Sequence, residues 1–106
     1  MKKLAIALAT AGALSLSLNA TTAGASEELA KTSGCLACHT VEKKLIGPSY
    51  KEIAAKYRND KAAAANLFKK VKEGGKGVWG DIPMTPNAHV KDEDIKTLVQ
   101  WILSLK

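Results

Sequence analysis

Apolar side chains recur at helical spacing in three stretches of the chain and nowhere show the sustained alternation that a half-buried strand requires. Tyr50, Ile53, Ala54 and Tyr57 lie at i, i+3, i+4 and i+7, which gives one helix a single apolar face. Ala64, Leu67, Phe68 and Val71 repeat that spacing, and Ile95, Leu98, Val99, Ile102 and Leu105 form a third stripe near the end of the chain. Boundary signals agree with the stripes. Ser49 and Glu52 make an S-x-x-E capping box ahead of the first, Asp60 is placed to cap the second, and Gly74-Gly75 to end it. Asp92, Glu93 and Asp94 suit the positive start of the last helix. Further upstream, Ser26 is placed to cap a short helix through Glu27, Glu28, Leu29 and Ala30, which Gly34 stops. The fold class expected is all-α, with four to five short helices.

Two segments lie outside this pattern. The first is the N-terminus, where Met1-Lys2-Lys3 gives a basic start and Leu4 to Leu18 an apolar run without charge. About 15 residues is too short for the roughly 20 that cross a bilayer. Ala23-Gly24-Ala25 follows and fits the small-x-small rule for signal cleavage. The division expected is a signal peptide over residues 1–25, cleaved after Ala25, and one domain over residues 26–106. The second segment, Gly74 to Asn87, holds Gly74, Gly75, Gly77, Gly80, Pro83 and Pro86. Trp79, Ile82 and Met84 within it argue for an ordered loop, because a free linker has no use for them.

Size and charge narrow the chemistry. An exported chain of about 81 residues has difficulty burying enough apolar surface to be stable alone and usually recruits a staple. The aromatic residues number only five, Tyr50, Tyr57, Phe68, Trp79 and Trp101, so something else is expected to fill the centre. A disulfide between Cys35 and Cys38 would close too small a loop to constrain the unfolded chain much. The formal charge of +6 falls to +4 without Lys2 and Lys3, and the remaining lysines are scattered. There is no dense basic run, so nucleic acid is not an expected partner. A solvated lysine surface and a docking face for an acidic protein both fit the scatter.

The chemistry is concentrated at Cys35-Leu36-Ala37-Cys38-His39. Two thiols three positions apart can reach the two vinyl groups of one porphyrin, and the adjoining histidine then offers its imidazole to the iron. A thioredoxin-like dithiol would need a strand before the motif and a parallel sheet around it, and the pattern supplies neither. A zinc site would have to be built from Cys35, Cys38, His39 and His89, with His39 too close to Cys38 to share a metal comfortably. One covalently attached haem c is therefore the expected cofactor. For a sixth iron ligand the first choice is Met84, in Ile82-Pro83-Met84-Thr85-Pro86, where flanking prolines stiffen the backbone around a weak thioether. The alternative is His89, in a polar turn with Val90-Lys91, and a lone methionine can also be plain core filler.

From Ser26 to Lys106 the chain resembles a class I cytochrome c of the small bacterial c-551 (also called c8) type. The resemblance rests on Cys35-x-x-Cys38-His39, Ile46-Gly47-Pro48-Ser49-Tyr50, Gly77-Val78-Trp79-Gly80, Ile82-Pro83-Met84, Pro86-Asn87 and Trp101, in that order and at similar spacing. It implies the class I cytochrome c fold, with terminal helices that cross and shorter helices wrapped around one covalently attached haem. By position it also implies thioethers at Cys35 and Cys38 and axial ligation by His39 and Met84. The Pro48 carbonyl would accept a hydrogen bond from the outer nitrogen of His39. Trp79 would donate its indole N–H to a haem propionate, and Asn87 would support the Met84 sulfur. Lys70 falls near a propionate, and Trp101 packs against the N-terminal helix.

The function implied is that of a monomeric periplasmic one-electron carrier between respiratory redox proteins, and not an enzyme. Its partners would be acidic redox proteins such as a terminal oxidase or reductase, with no stable membrane insertion after cleavage. A haem sensor or an enzyme-complex subunit with a displaceable sixth ligand is the alternative.

Overall fold

The computed structural model describes Gly12 and residues 23–106. The basic start and apolar run expected of a signal peptide lie, Gly12 apart, outside the described residues. Among the described residues four α-helices follow one another: α1 (Ala23–Thr32), α2 (Tyr50–Tyr57), α3 (Ala63–Glu73) and α4 (Asp92–Ser104). A single 3-10 turn, Cys35–Ala37, stands between α1 and α2. Among the described residues strand-like pairing is confined to one antiparallel bridge between Gly75 and Met84. The all-α expectation holds.

Helix α4 is the hub, packing against α1, α2 and α3. Its stripe of Ile95, Leu98, Val99 and Ile102 is buried, joined by Trp101. One core cluster sets Leu98, Trp101 and Ile102 against Ala30 of α1 and Tyr50 and Ile53 of α2. A second sets Ile95 and Val99 against Val90, with Leu67, Phe68 and Val71 of α3 packed on it. Burying a side chain such as Ile95, which is fully enclosed, contributes roughly 1.5–3 kcal/mol. Trp101 thus packs between α1 and α2, at 5.5 Å edge-on to Tyr50.

Caps and charges set the helix ends. Ser49 accepts from Glu52 N while Glu52 Oε2 accepts from Ser49 N, a complete capping box at the head of α2. Such caps contribute about 1 kcal/mol. Gly34, at φ 86°, turns the chain after α1 into the 3-10 turn. Asp92, Glu93 and Asp94 occupy the first turn of α4, and Lys70 and Lys72 the last turn of α3, each complementing the helix dipole.

Three local expectations are corrected. Helix α1 begins at Ala23, so Ser26 is a buried residue inside the helix and not its cap. Asp60 accepts from Ala62 N in a turn ahead of α3, whose N-cap position is Ala62 with no side-chain cap. Leu67, Phe68 and Val71 face the core as the stripe requires, but at the head of α3 it is Ala63 that is buried and Ala64 that is exposed.

Lys72 joins the end of α3 to the start of α4, donating to Val90 O at 2.9 Å and pairing with Asp92 Oδ1 at 2.8 Å. The hydrogen bond and charge of Lys72 hold the Asp92 carboxyl below its ordinary range. A carboxyl that is a stronger acid when folded stabilises the fold above its unfolded pKa, and that contribution disappears as pH falls through the folded value. Urea unfolding should therefore find the native chain more stable than Asp92→Asn at neutral pH, with the gap closing in acid. A gap that persists undiminished into strong acid would contradict the pairing.

Candidate functional site

The site is assembled around one cavity of about 820 Å³, toward the upper end of the ~300–1,000 Å³ usual for small-molecule and cofactor pockets. It is bounded by the 3-10 turn, the loop before α2, the inner faces of α2, α3 and α4, and the Gly75–Asn87 loop. Its wall is mostly apolar, with Ile53, Leu67, Val71, Leu98, Val99 and Ile102 on the helices. The helical core is packed round this space rather than across it.

One wall holds Cys35, Cys38 and His39 together. The 3-10 turn brings this about locally, with Cys38 N and His39 N both donating to Cys35 O at 3.2 and 3.0 Å. Both thiols are free, Cys35 half-buried and Cys38 exposed. Burial pushes the Cys35 thiol above its ordinary pKa, and a hydrogen bond from Tyr50 works the other way. Burial likewise raises the Tyr50 phenol, so both groups stay protonated at neutral pH.

After the motif the chain doubles back. Gly47 N donates to Cys38 O, Tyr50 N to Thr40 O and Lys51 N to Val41 O. This return brings Pro48 beside the histidine, where His39 Nδ1 donates to Pro48 O at 2.8 Å. A carbonyl only accepts, so Nδ1 carries the ring proton and Nε2 keeps its lone pair for a ligand. The ring, only 8% exposed, is also bounded by Gly47, where an added Cβ would meet His39 Cε1 at 2.6 Å and Nδ1 at 2.9 Å. On its face lies Tyr50, with ring centroids 5.2 Å apart and planes 20° from parallel.

The Gly75–Asn87 loop forms another wall and is ordered by its own backbone. Gly75 N donates to Met84 O at 3.0 Å and Met84 N to Gly75 O at 2.7 Å, and Gly77 N donates to Gly80 O at 2.8 Å. Gly74, at φ 75°, both ends α3 and lets the Met84–Pro86 backbone approach closer than a Cβ would allow. Met84 lines the cavity. Asn87 also lines it, but its Nδ2 donates to Val71 O at 3.1 Å and Thr85 O at 3.2 Å, tying the loop to α3. Trp79 lines the cavity while 42% exposed, and Lys56 Nζ lies 5.5 Å from its ring centroid. Lys44, Lys70 and Lys76 add positive charge to the lining.

The cavity therefore gathers Cys35, Cys38, His39, Pro48, Met84, Trp79 and Asn87, the residues singled out in the sequence, together with Lys70. His89, the other candidate ligand, is exposed and outside the lining. Among the described residues no three His, Cys, Asp or Glu side chains are grouped to hold a metal by themselves. Two thiols, an imidazole with a free Nε2 and a large apolar hollow fit a porphyrin iron held by covalent attachment. Sequence reasoning missed Gly47 and Tyr50 as parts of the histidine's seat. Both belong to the Gly47-Pro48-Ser49-Tyr50 run, but only the fold shows what they touch.

Comparison with known proteins places these features in a family. A family model described as cytochrome c matches residues 24–106. Cytochrome c-551 of Allochromatium vinosum is 58% identical over 77 residues, 73% of this chain and 82% of that protein. Cytochrome c-551 of Stutzerimonas stutzeri is 43% identical over 106 residues, all of both chains. Among solved structures, wild-type cytochrome c552 of Nitrosomonas europaea is similar at a TM-score of 0.73 and 54% identity, covering 76% of this chain and 99% of that one.

The seat of the histidine gives a direct test. Gly47→Ala forces a methyl into the imidazole, and overpacking of this kind costs roughly 1–3 kcal/mol. Denaturant unfolding should show that loss, and the His39 ring signals in NMR should move. Unchanged stability with unmoved ring signals would contradict the close approach.

Proposed function

The chain belongs to the cytochrome c family, has its all-α fold and has its covalently attached haem c as cofactor at Cys35-x-x-Cys38-His39; from that premise we propose that it is a periplasmic one-electron carrier with His39 and Met84 as axial ligands. The observation that carries this reading is the pairing in one cavity of an imidazole with its Nδ1 already engaged and a thioether on an ordered loop. Haem bound there supplies a one-electron ferric/ferrous couple, and thioether ligation favours the ferrous state relative to two histidines.

The surrounding residues have distinct tasks in this reading. Cys35 and Cys38 attach the group, and Pro48 holds His39 in the tautomer and orientation that ligation needs. Trp79 donates its indole N–H to a propionate, and Lys70 places a positive charge near it. Asn87 supports the Met84 ligand by way of the loop path, since its amide hydrogens go to Val71 and Thr85 carbonyls. With two protein ligands the iron offers no place for substrate, so the protein is a carrier and not an enzyme.

Residues 1–25 act as a signal peptide, supported by Lys2-Lys3, the uncharged apolar run and Ala23-Gly24-Ala25. Cleavage after Ala25 would remove the first three residues of α1 and make Ser26 the new start of that helix. Among the described residues no helix is long and apolar enough to cross a membrane. The monomer meets acidic respiratory redox proteins at the cavity mouth, where Lys44 and Lys76 stand beside exposed Leu45, Ile46, Val78 and Ile82. Charge there steers encounter, and apolar contact brings the exposed edge of the group close.

Carbon monoxide tests the ligand set. The ferrous protein should not take it up, whereas Met84→Ala should bind it readily. Uptake by the unaltered protein would favour a sensor or an enzyme subunit with a displaceable ligand. Reduction by an acidic partner should also slow as ionic strength rises, and a rate flat from low to high salt would remove the electrostatic part of the reading.

A further inference from the structure

Tyr50 belongs to the core cluster on which Cys35 packs and also lies against the ring of His39. It is the first residue of α2, 3% exposed, and its backbone N–H is fixed on Thr40 O at 2.9 Å. Its ring stacks on the His39 imidazole at 5.2 Å and 20°. Its far side meets the edge of Trp101 at 5.5 Å and 76°. Trp101 is itself buried in the core cluster with Ala30, Ile53 and Leu98.

These contacts bear on a gap in how the histidine is held. The hydrogen bond to Pro48 fixes one point of the imidazole and its tautomer. One point does not fix a plane, and the ring could still turn about the Nδ1···O direction. A near-parallel aromatic face opposes that turn.

Resting on the haem-carrier reading above, we propose that Tyr50 is the positioning residue of the axial histidine. The ring sets the plane of His39. Gly47, Pro48 and Tyr50 then form one seat built from consecutive turns of chain, which the Ser49–Glu52 capping box locks at the head of α2.

The test uses the holoprotein and its Tyr50→Phe, Tyr50→Leu, Tyr50→Met and Ile95→Ala variants, read by the paramagnetically shifted NMR signals of the His39 ring and by denaturant unfolding. Tyr50→Phe should leave the ring signals in place, because the stacked face survives. Tyr50→Leu should move them, and where it does not fold, Tyr50→Met should move them. Ile95→Ala, buried away from the cavity, should lose stability without moving them. Ring signals unmoved in Tyr50→Leu and Tyr50→Met, or an Ile95→Ala shift as large as theirs, would overturn the inference while leaving the carrier reading intact. An unaltered protein without covalent haem would overturn the carrier reading and this inference with it.

Discussion

The hydrogen bond from His39 Nδ1 to the Pro48 carbonyl is the constraint on which the site depends. It requires the chain to return to the histidine nine residues after leaving it. The return is built by three backbone bonds, Gly47 to Cys38, Tyr50 to Thr40 and Lys51 to Val41. It requires a glycine at position 47, since any larger residue meets the imidazole. It also needs a firm end to the loop, which the capping box at Ser49 and Glu52 provides. With Nδ1 donating to Pro48 O, the ring is turned so that Nε2 is the nitrogen left for a ligand.

The second constraint is size. A domain this short has too little apolar surface to close a core over itself. Its helices accordingly pack against α4 along their outer portions and leave their inner faces lining a hollow. Leu98, Val99 and Ile102 serve both purposes, in core contact on one side and bordering the cavity on the other. In this family the cofactor is therefore also the staple: attachment at Cys35 and Cys38 supplies apolar bulk that the sequence lacks. Lys44, Lys70 and Lys76 add positive charge to an otherwise mostly apolar lining.

Much of this was legible in the sequence because it rests on local rules. The α4 stripe, the Ser49–Glu52 box and the glycine stop of α3 each depend on residues a few positions apart. The thiol–thiol–imidazole motif is likewise a short-range signal. What escaped was set partly by helix starts that spacing does not fix and partly by contacts between distant segments. Ser26 has the side chain of a cap yet is buried inside α1, because that helix begins three residues earlier. Ala63, not Ala64, is the buried alanine at the start of α3. The amide of Asn87 is committed to the Val71 and Thr85 carbonyls, a pairing that no spacing rule reveals. Tyr50 reads as one more residue of an apolar stripe, and only the return of the chain shows it lying on the histidine.

The most direct measurement of the central claim is the optical spectrum of the exported protein, oxidised and reduced, recorded before and after denaturation. Haem that stays with the unfolded chain, together with the weak far-red band of methionine on ferric iron in the folded protein, is the result expected of a closed carrier built on Cys35, Cys38, His39 and Met84. A chain free of haem, purified from cells able to attach it, would contradict the account and return Cys35 and Cys38 to thiol chemistry.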